Sequence, residues 1–132
     1  MAVSDEEREN ARDLFAGLGP VEVRRMFGGA GVWFGDACFA LLVDGSIWMR
    51  ADEALGRDFA SAGSEQWVYE GRRRAAVTMP YWRLPDSALD DADEAAAWAR
   101  RSLVPAERAA AEKRAAKARR SAGRGHRTAR TD

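Results

Sequence analysis

VEVRRMFGGAGVWFGDACFALLVDGSIWMR, residues Val21 to Arg50, is the stretch that decides the fold. Val21 and Val23 alternate with Glu22 and Arg24, the two-residue period of a half-buried strand. Gly28-Gly29-Ala30-Gly31 breaks that pattern, and Val32-Trp33-Phe34 follows as a short strand turned by Gly35-Asp36. Phe39 to Val43 is apolar on both faces, which predicts a central strand. Asp44-Gly45 is a two-residue hairpin signal leading into Ser46-Ile47-Trp48-Met49-Arg50. The segment is therefore a meander of antiparallel strands joined by short turns.

Helices flank the meander. Upstream, Ser4 and Glu7 have capping-box spacing. Ala11, Leu14, Phe15 and Leu18 recur at helical intervals until Gly17 and Gly19-Pro20 stop them. Downstream, Asp52 caps a helix from Glu53 to about Ala62, with Leu55 and Phe59 one turn apart and Gly63 at its end. Gln66–Glu70 and Ala75–Met79 read as a second hairpin across Gly71-Arg72-Arg73. Pro80 closes its last strand, and Tyr81-Trp82-Arg83-Leu84-Pro85 is an extended aromatic connection. Asp91 and Glu94 start a third helix through Ala95, Trp98 and Leu103, which Pro105 breaks or restarts. The expected class is α+β, an antiparallel meander sheet of about five or six strands packed by helices.

A net charge of zero hides two blocks of opposite sign. Residues 1–99 hold ten Arg against eighteen Asp or Glu, a balance of −8, whereas residues 100–132 hold eleven Lys or Arg against three acids, a balance of +8. This divides the chain into a folded body, residues 1–104, and a basic Ala-rich tail, residues 105–132. Ala106 to Arg120 has high helix propensity but nothing large to bury, so its helix is marginal alone. Ser121 to Asp132, with Gly123 and Gly125, is expected to be disordered. An acidic N-terminus without an apolar stretch, and no run long enough to span a membrane, predict a cytoplasmic protein with no membrane partner.

Few residues suggest catalysis. The single cysteine, Cys38, sits in an apolar run and reads as a buried, inert thiol. The single histidine, His126, lies in the basic tail, away from any sequence that builds a preorganised triad. Asp90, Asp91, Asp93 and Glu94 cap the start of a helix. The glycines at 28–31 lead into a strand instead of a helix, unlike a phosphate loop. No enzyme activity, cofactor or metal is expected. Arg24, Arg25, Trp33, Trp48, Arg50, Trp67, Tyr69, Arg72, Arg73, Arg74, Tyr81, Trp82 and Arg83 interleave basic and aromatic side chains, a composition suited to single-stranded nucleic acid or a nucleotide, although the body's overall negative charge argues against nucleic acid on this surface. The favoured reading makes these Trp residues core and the Arg residues its rim, since the core has few other large residues.

The tail offers the best physical case for a partner. Lys113, Arg114, Lys117, Arg119, Arg120, Arg124, Arg127 and Arg130 supply spaced cations for phosphate contacts without sequence preference. A solubilising tail, or one folded back on the acidic body, is the competing reading.

Residues Ser4 to Leu103 resemble the TfoX/Sxy N-terminal domain family, named for bacterial competence regulators. The most specific stretch is Arg24-Arg25-Met26-Phe27-Gly28-Gly29-Ala30-Gly31-Val32, similar to the family's Met-Phe-Gly-Gly-x-Gly signature. Phe39-Ala40-Leu41-Leu42, Trp48-Met49-Arg50-Ala51-Asp52 and Met79-Pro80-Tyr81-Trp82-x-x-Pro85 support it. The resemblance implies a small α+β domain, a role in transcriptional activation for some members, and no catalytic residues to carry over. Full-length members carry a second domain, in whose place a basic tail is expected here.

The expected function is that of a non-enzymatic regulatory or adaptor protein. In it Arg25, Met26, Phe27, Gly28, Gly29 and Gly31 shape the signature turn. Tyr81, Trp82 and Arg83 offer a surface for a protein partner or a homodimer, and the tail holds nucleic acid. The alternative is a small-molecule-binding domain or an enzyme using the Arg/Trp-rich sheet face.

Overall fold

The computed structural model describes residues 2–69 and 76–130, and side chains through Gly123. The expected turn at Gly71-Arg72-Arg73, Arg74, and the side chains of Arg124, His126, Arg127 and Arg130 lie outside the described part. Among the described residues, three α-helices and six strands follow in the order α1 (Asp5–Leu14), β1 (Glu22–Met26), β2 (Gly29–Phe34), β3 (Ala37–Val43), β4 (Ser46–Arg50), α2 (Glu53–Ser61), β5 (Gln66–Tyr69), β6 (Val77–Arg83) and α3 (Ala92–Arg130). The strands form one sheet in the order β1-β2-β3-β4-β6-β5, with every neighbouring pair antiparallel. The α+β meander expected from the sequence is the fold observed.

Two rows of cross-strand partners define the two faces of the sheet, because directly opposed residues project to the same side. Val23, Val32, Ala40, Met49 and Trp82 form one row. Its first four members are buried, and Trp82 packs against this core. The helices cover this face: Phe15 meets Phe39 edge-on with centroids 5.3 Å apart, and Phe59 stacks on Trp98 at 4.4 Å. Arg24, Gly31, Leu41, Trp48 and Arg83 form the neighbouring row, which therefore points to the opposite side. No described helix packs on that side.

A register shift between Val32 and Trp33 places an extra residue in β3. Phe39 and Ala40 are consequently both fully buried although adjacent, as a β-bulge allows. This explains why β3 reads as apolar throughout. It is an interior strand, but its second face is open, with Cys38 and Leu41 half-buried there.

The turns differ from expectation in two places. The Gly28–Gly31 break is shorter than expected: Phe27-Gly28 alone makes the turn, and β2 begins at Gly29. A Cβ on Gly29 would lie 2.4 Å from the Leu42 carbonyl oxygen, so that glycine serves close strand approach. Tyr81-Trp82-Arg83 is the end of β6, not a connection, and pairs with Trp48–Arg50. Pro80 lies inside β6, opposite the irregularity between Gln66 and Val68 in β5. A proline has no amide to offer the ladder, and the Gln66 side chain instead donates to the Met79 carbonyl at 3.0 Å.

The largest departure concerns Pro105, which does not break the third helix: α3 continues through it to Arg130. The missing proline amide removes a bond to the Arg101 carbonyl. Burial offsets that loss, because Ala95, Ala99, Ser102, Ala106 and Ala110 form a buried stripe of small residues, and α3 packs on β3 and β4. Past the docked segment, elongation needs no new nucleus, and Ser121–Arg130 is helical where disorder was expected.

Candidate functional site

The uncovered sheet face carries aromatic rings under guanidinium groups. Arg24 lies over the Trp33 ring at 4.8 Å, Arg83 over Trp48 at 5.2 Å and Arg50 over Tyr81 at 5.6 Å, each measured from Cζ to the ring centroid. Trp67 joins them from β5, with its ring 5.3 Å from Trp48 and 6.2 Å from Tyr81. Arg50 also donates to the Tyr81 hydroxyl at 3.3 Å. Gly31 makes room for one of these rings. A Cβ there would sit 2.7 Å from Trp33 Nε1, and 3.1 Å from both Cys38 Sγ and Met26 Sδ.

The local charge of this face differs from that of the body. Among the described residues two acids meet its cations: Glu65 lies 4.0 Å from Arg83, and Arg24 binds Glu22 at 3.0 Å. That hydrogen bond, with the nearby positive charge, holds the Glu22 carboxyl below its usual range. Arg24, Arg50 and Arg83 outnumber these two carboxylates by one. The body's other acids concentrate on the far side and the rim: in α1, in α2 and its cap, in the first turn of α3, and at Asp36 and Asp44 in the strand turns. The Cys38 thiol, bonded to the Ala40 carbonyl at 3.4 Å, is pushed upward in pKa by burial. It stays protonated at neutral pH, in keeping with an inert role.

At the end of the sheet, the β1–β2 turn holds Phe27 at φ 48° and Gly28 at φ 82°. A left-handed conformation is rare for a bulky residue. The Phe27 ring is fully exposed, so nothing in the fold draws it there. The N-terminal segment braces this turn: the Val3 amide donates to the Gly28 carbonyl at 3.1 Å, and Arg25 pairs with Asp5.

Along α3, the cations divide into two sets. Arg101, Arg108 and Arg114 pair with Asp58, Asp52 and Asp36 and hold the helix to the body. Lys113, Lys117, Arg119 and Arg120 are exposed and have no ion-pair partner among the described residues.

The sequence matches the family described as TfoX N-terminal domain over residues 13–106. The chain belongs to the TfoX N-terminal domain family. No curated protein matches the chain. The family match takes in the signature turn and the whole sheet, and it ends at Ala106, within α3. The unpaired cations from Lys113 onward lie beyond it. The TfoX N-terminal domain is not a known enzyme family.

Within this TfoX domain, Met26 and Gly31 lie on the open face, whereas Arg25 projects to the helix side and Phe27 into solvent. Tyr81, Trp82 and Arg83 do not form one surface, because strand residues alternate: Tyr81 and Arg83 face out, while Trp82 packs against α2 at Gly56. Trp82 and Trp98 are half-buried and pack against the core. Trp33, Trp48 and Trp67 are not beneath the helices, contrary to the favoured reading. The parity of β4 carries the signal that places Trp48, since a buried Met49 sends its neighbour outward. Arg114 is set apart from the other tail cations by its contact with Asp36. A groove between α1, the β3–β4 turn and the start of α3 is lined by Glu7, Asn10, Asp13, Leu14, Ile47 and Leu89. It lacks the converging Arg side chains that an anionic small-molecule site needs. No helix among the described residues is long and apolar enough to cross a membrane.

Proposed function

We propose that this protein is a cytoplasmic, non-enzymatic regulatory or adaptor protein of the competence-regulator type. Helix α3 holds nucleic acid without sequence preference, while the domain takes a protein partner or a second copy of the chain. One observation carries this reading. Lys113, Lys117, Arg119 and Arg120 have no ion-pair partner among the described residues, on an exposed helix beside a body with an excess of acid. Lys113, Lys117 and Arg120 recur at i, i+4 and i+7, which sets three charges along one helix face. A helix rising 1.5 Å per residue can follow phosphates with such a stripe.

Fluorescence anisotropy with a labelled DNA duplex, across a salt series, tests the reading. The full chain is compared with K113Q/K117Q/R119Q/R120Q. Removing four phosphate contacts is expected to flatten the slope of log affinity against log salt by about 3–4. Equal affinity and slope in the two proteins contradict the role given to α3.

A further inference from the structure

We infer that the open sheet face is a second nucleic-acid surface, one that takes single strands by stacking their bases. This goes beyond the role given to α3 and rests on different residues. Four rings, Trp33, Trp48, Trp67 and Tyr81, lie on a sheet that the described helices cover from the other side only. Three of them carry a guanidinium within 6 Å of the ring centroid. Flat rings with adjacent cations are what single strands require: π-faces for unstacked bases and positive charge for the backbone.

Three considerations select this occupant. Charge comes first, because Arg24, Arg50 and Arg83 outnumber Glu22 and Glu65 at these rings, which leaves the face a net positive charge for a polyanion. Spacing comes next. Trp33 in β2 and Trp48 in β4 are separated by two strand spacings, about 10 Å. One base cannot cover both, whereas a strand of several nucleotides can. The third consideration is base access: a duplex buries its base faces in its own stack, so this platform favours single strands over duplexes. A second copy of the chain fits less well. A two-fold axis through the face would set Arg24, Arg50 and Arg83 against their own copies.

In the free protein the guanidiniums cover the rings. On binding, each side chain swings from ring to phosphate, or holds its place as a flat surface on which a base stacks. Neither movement disturbs the helix-side core.

Titration of the full chain with an oligodeoxythymidylate strand tests the inference, read by intrinsic tryptophan fluorescence and by anisotropy of the labelled strand. The unchanged protein is expected to show quenching that persists in K113Q/K117Q/R119Q/R120Q. R24Q/R50Q/R83Q is expected to lose the quenching and about tenfold in single-strand affinity, with duplex binding unchanged. If that triple variant does not fold, Arg24→Gln alone, at an exposed position, is expected to lower affinity about threefold. Equal quenching in the face variants overturns the inference, as does quenching abolished by the α3 changes. So does a dimer that R24Q/R50Q/R83Q dissociates, in a protein that binds no strand. Duplex binding by the α3 variant reports on α3 alone, so the two surfaces fail independently.

Discussion

Arg83 lies over the indole of Trp48, with 5.2 Å from its guanidinium carbon to the ring centroid, and the two residues are direct partners across β4 and β6. The next pair along these strands, Met49 and Trp82, points the opposite way, into the core under the helices. One residue of register thus separates a packed core from a half-buried layer of rings and cations. The sheet acts as the wall between a helix-covered core and a layer of aromatic rings and cations.

Gly31 is the position at which that layer is most easily disturbed. Gly31→Ala would bring a Cβ to 2.7 Å from Trp33 Nε1, and the indole must move. Urea unfolding is expected to show a loss of about 1–3 kcal/mol, the range for overpacking, with altered tryptophan emission. An unchanged midpoint and spectrum would place Trp33 elsewhere.

Phe27 works in the opposite direction. Its backbone is left-handed and its ring is fully exposed, so Phe27→Gly relieves strain without removing a contact. A gain of about 1 kcal/mol in urea unfolding is expected. A lower midpoint would show that the ring packs on something in solution.

Helix α3 past Pro105 is docked through small side chains. Ala106 is 2% exposed and Ala110 is 8% exposed, whereas Ala111 faces solvent. Ala106→Leu should cost about 1–3 kcal/mol through overpacking, and Ala111→Leu should be near neutral. Equal thermal midpoints for the two variants would mean that α3 leaves the sheet after Val104.

Burial raises the Cys38 thiol pKa, so the folded state keeps this proton to higher pH than the unfolded chain. The stability linked to it is intact below the ordinary thiol value of about 8.5 and is lost as pH rises through the folded value. Cys38→Ala should flatten the alkaline decline in thermal midpoint without changing its course below pH 7. Parallel curves for the two proteins would contradict a half-buried thiol held protonated by its surroundings.

Local signals were sufficient for most of the fold. Ser4 and Glu7 form the capping box they predict, at 3.0 and 3.2 Å, and the Asp52 side chain accepts from the Leu55 amide at 2.9 Å. Such contacts act within a few residues, so a linear pattern contains them. Pro105 misled because its local effect is real, yet the buried Ala stripe decides the outcome, and that stripe has value only against a sheet. The candidate site was half legible. Its residue types were visible as interleaved Arg and aromatics, but their placement under or outside the helices depends on strand parity. The β3 bulge and the pairing of β4 with β6, across an intervening helix, hide that parity from the sequence.

The most direct test of the account is nuclear magnetic resonance of the full, isotope-labelled chain titrated with a short single-stranded DNA. Its five indole N–H signals report on both sides of the sheet at once. The expected result is that Trp33, Trp48 and Trp67 shift along with backbone amides of Lys113 to Arg120, while Trp82 and Trp98 stay in place. Shifts confined to Trp82 and Trp98, with Trp33, Trp48, Trp67 and the amides of Lys113 to Arg120 in place, would contradict it.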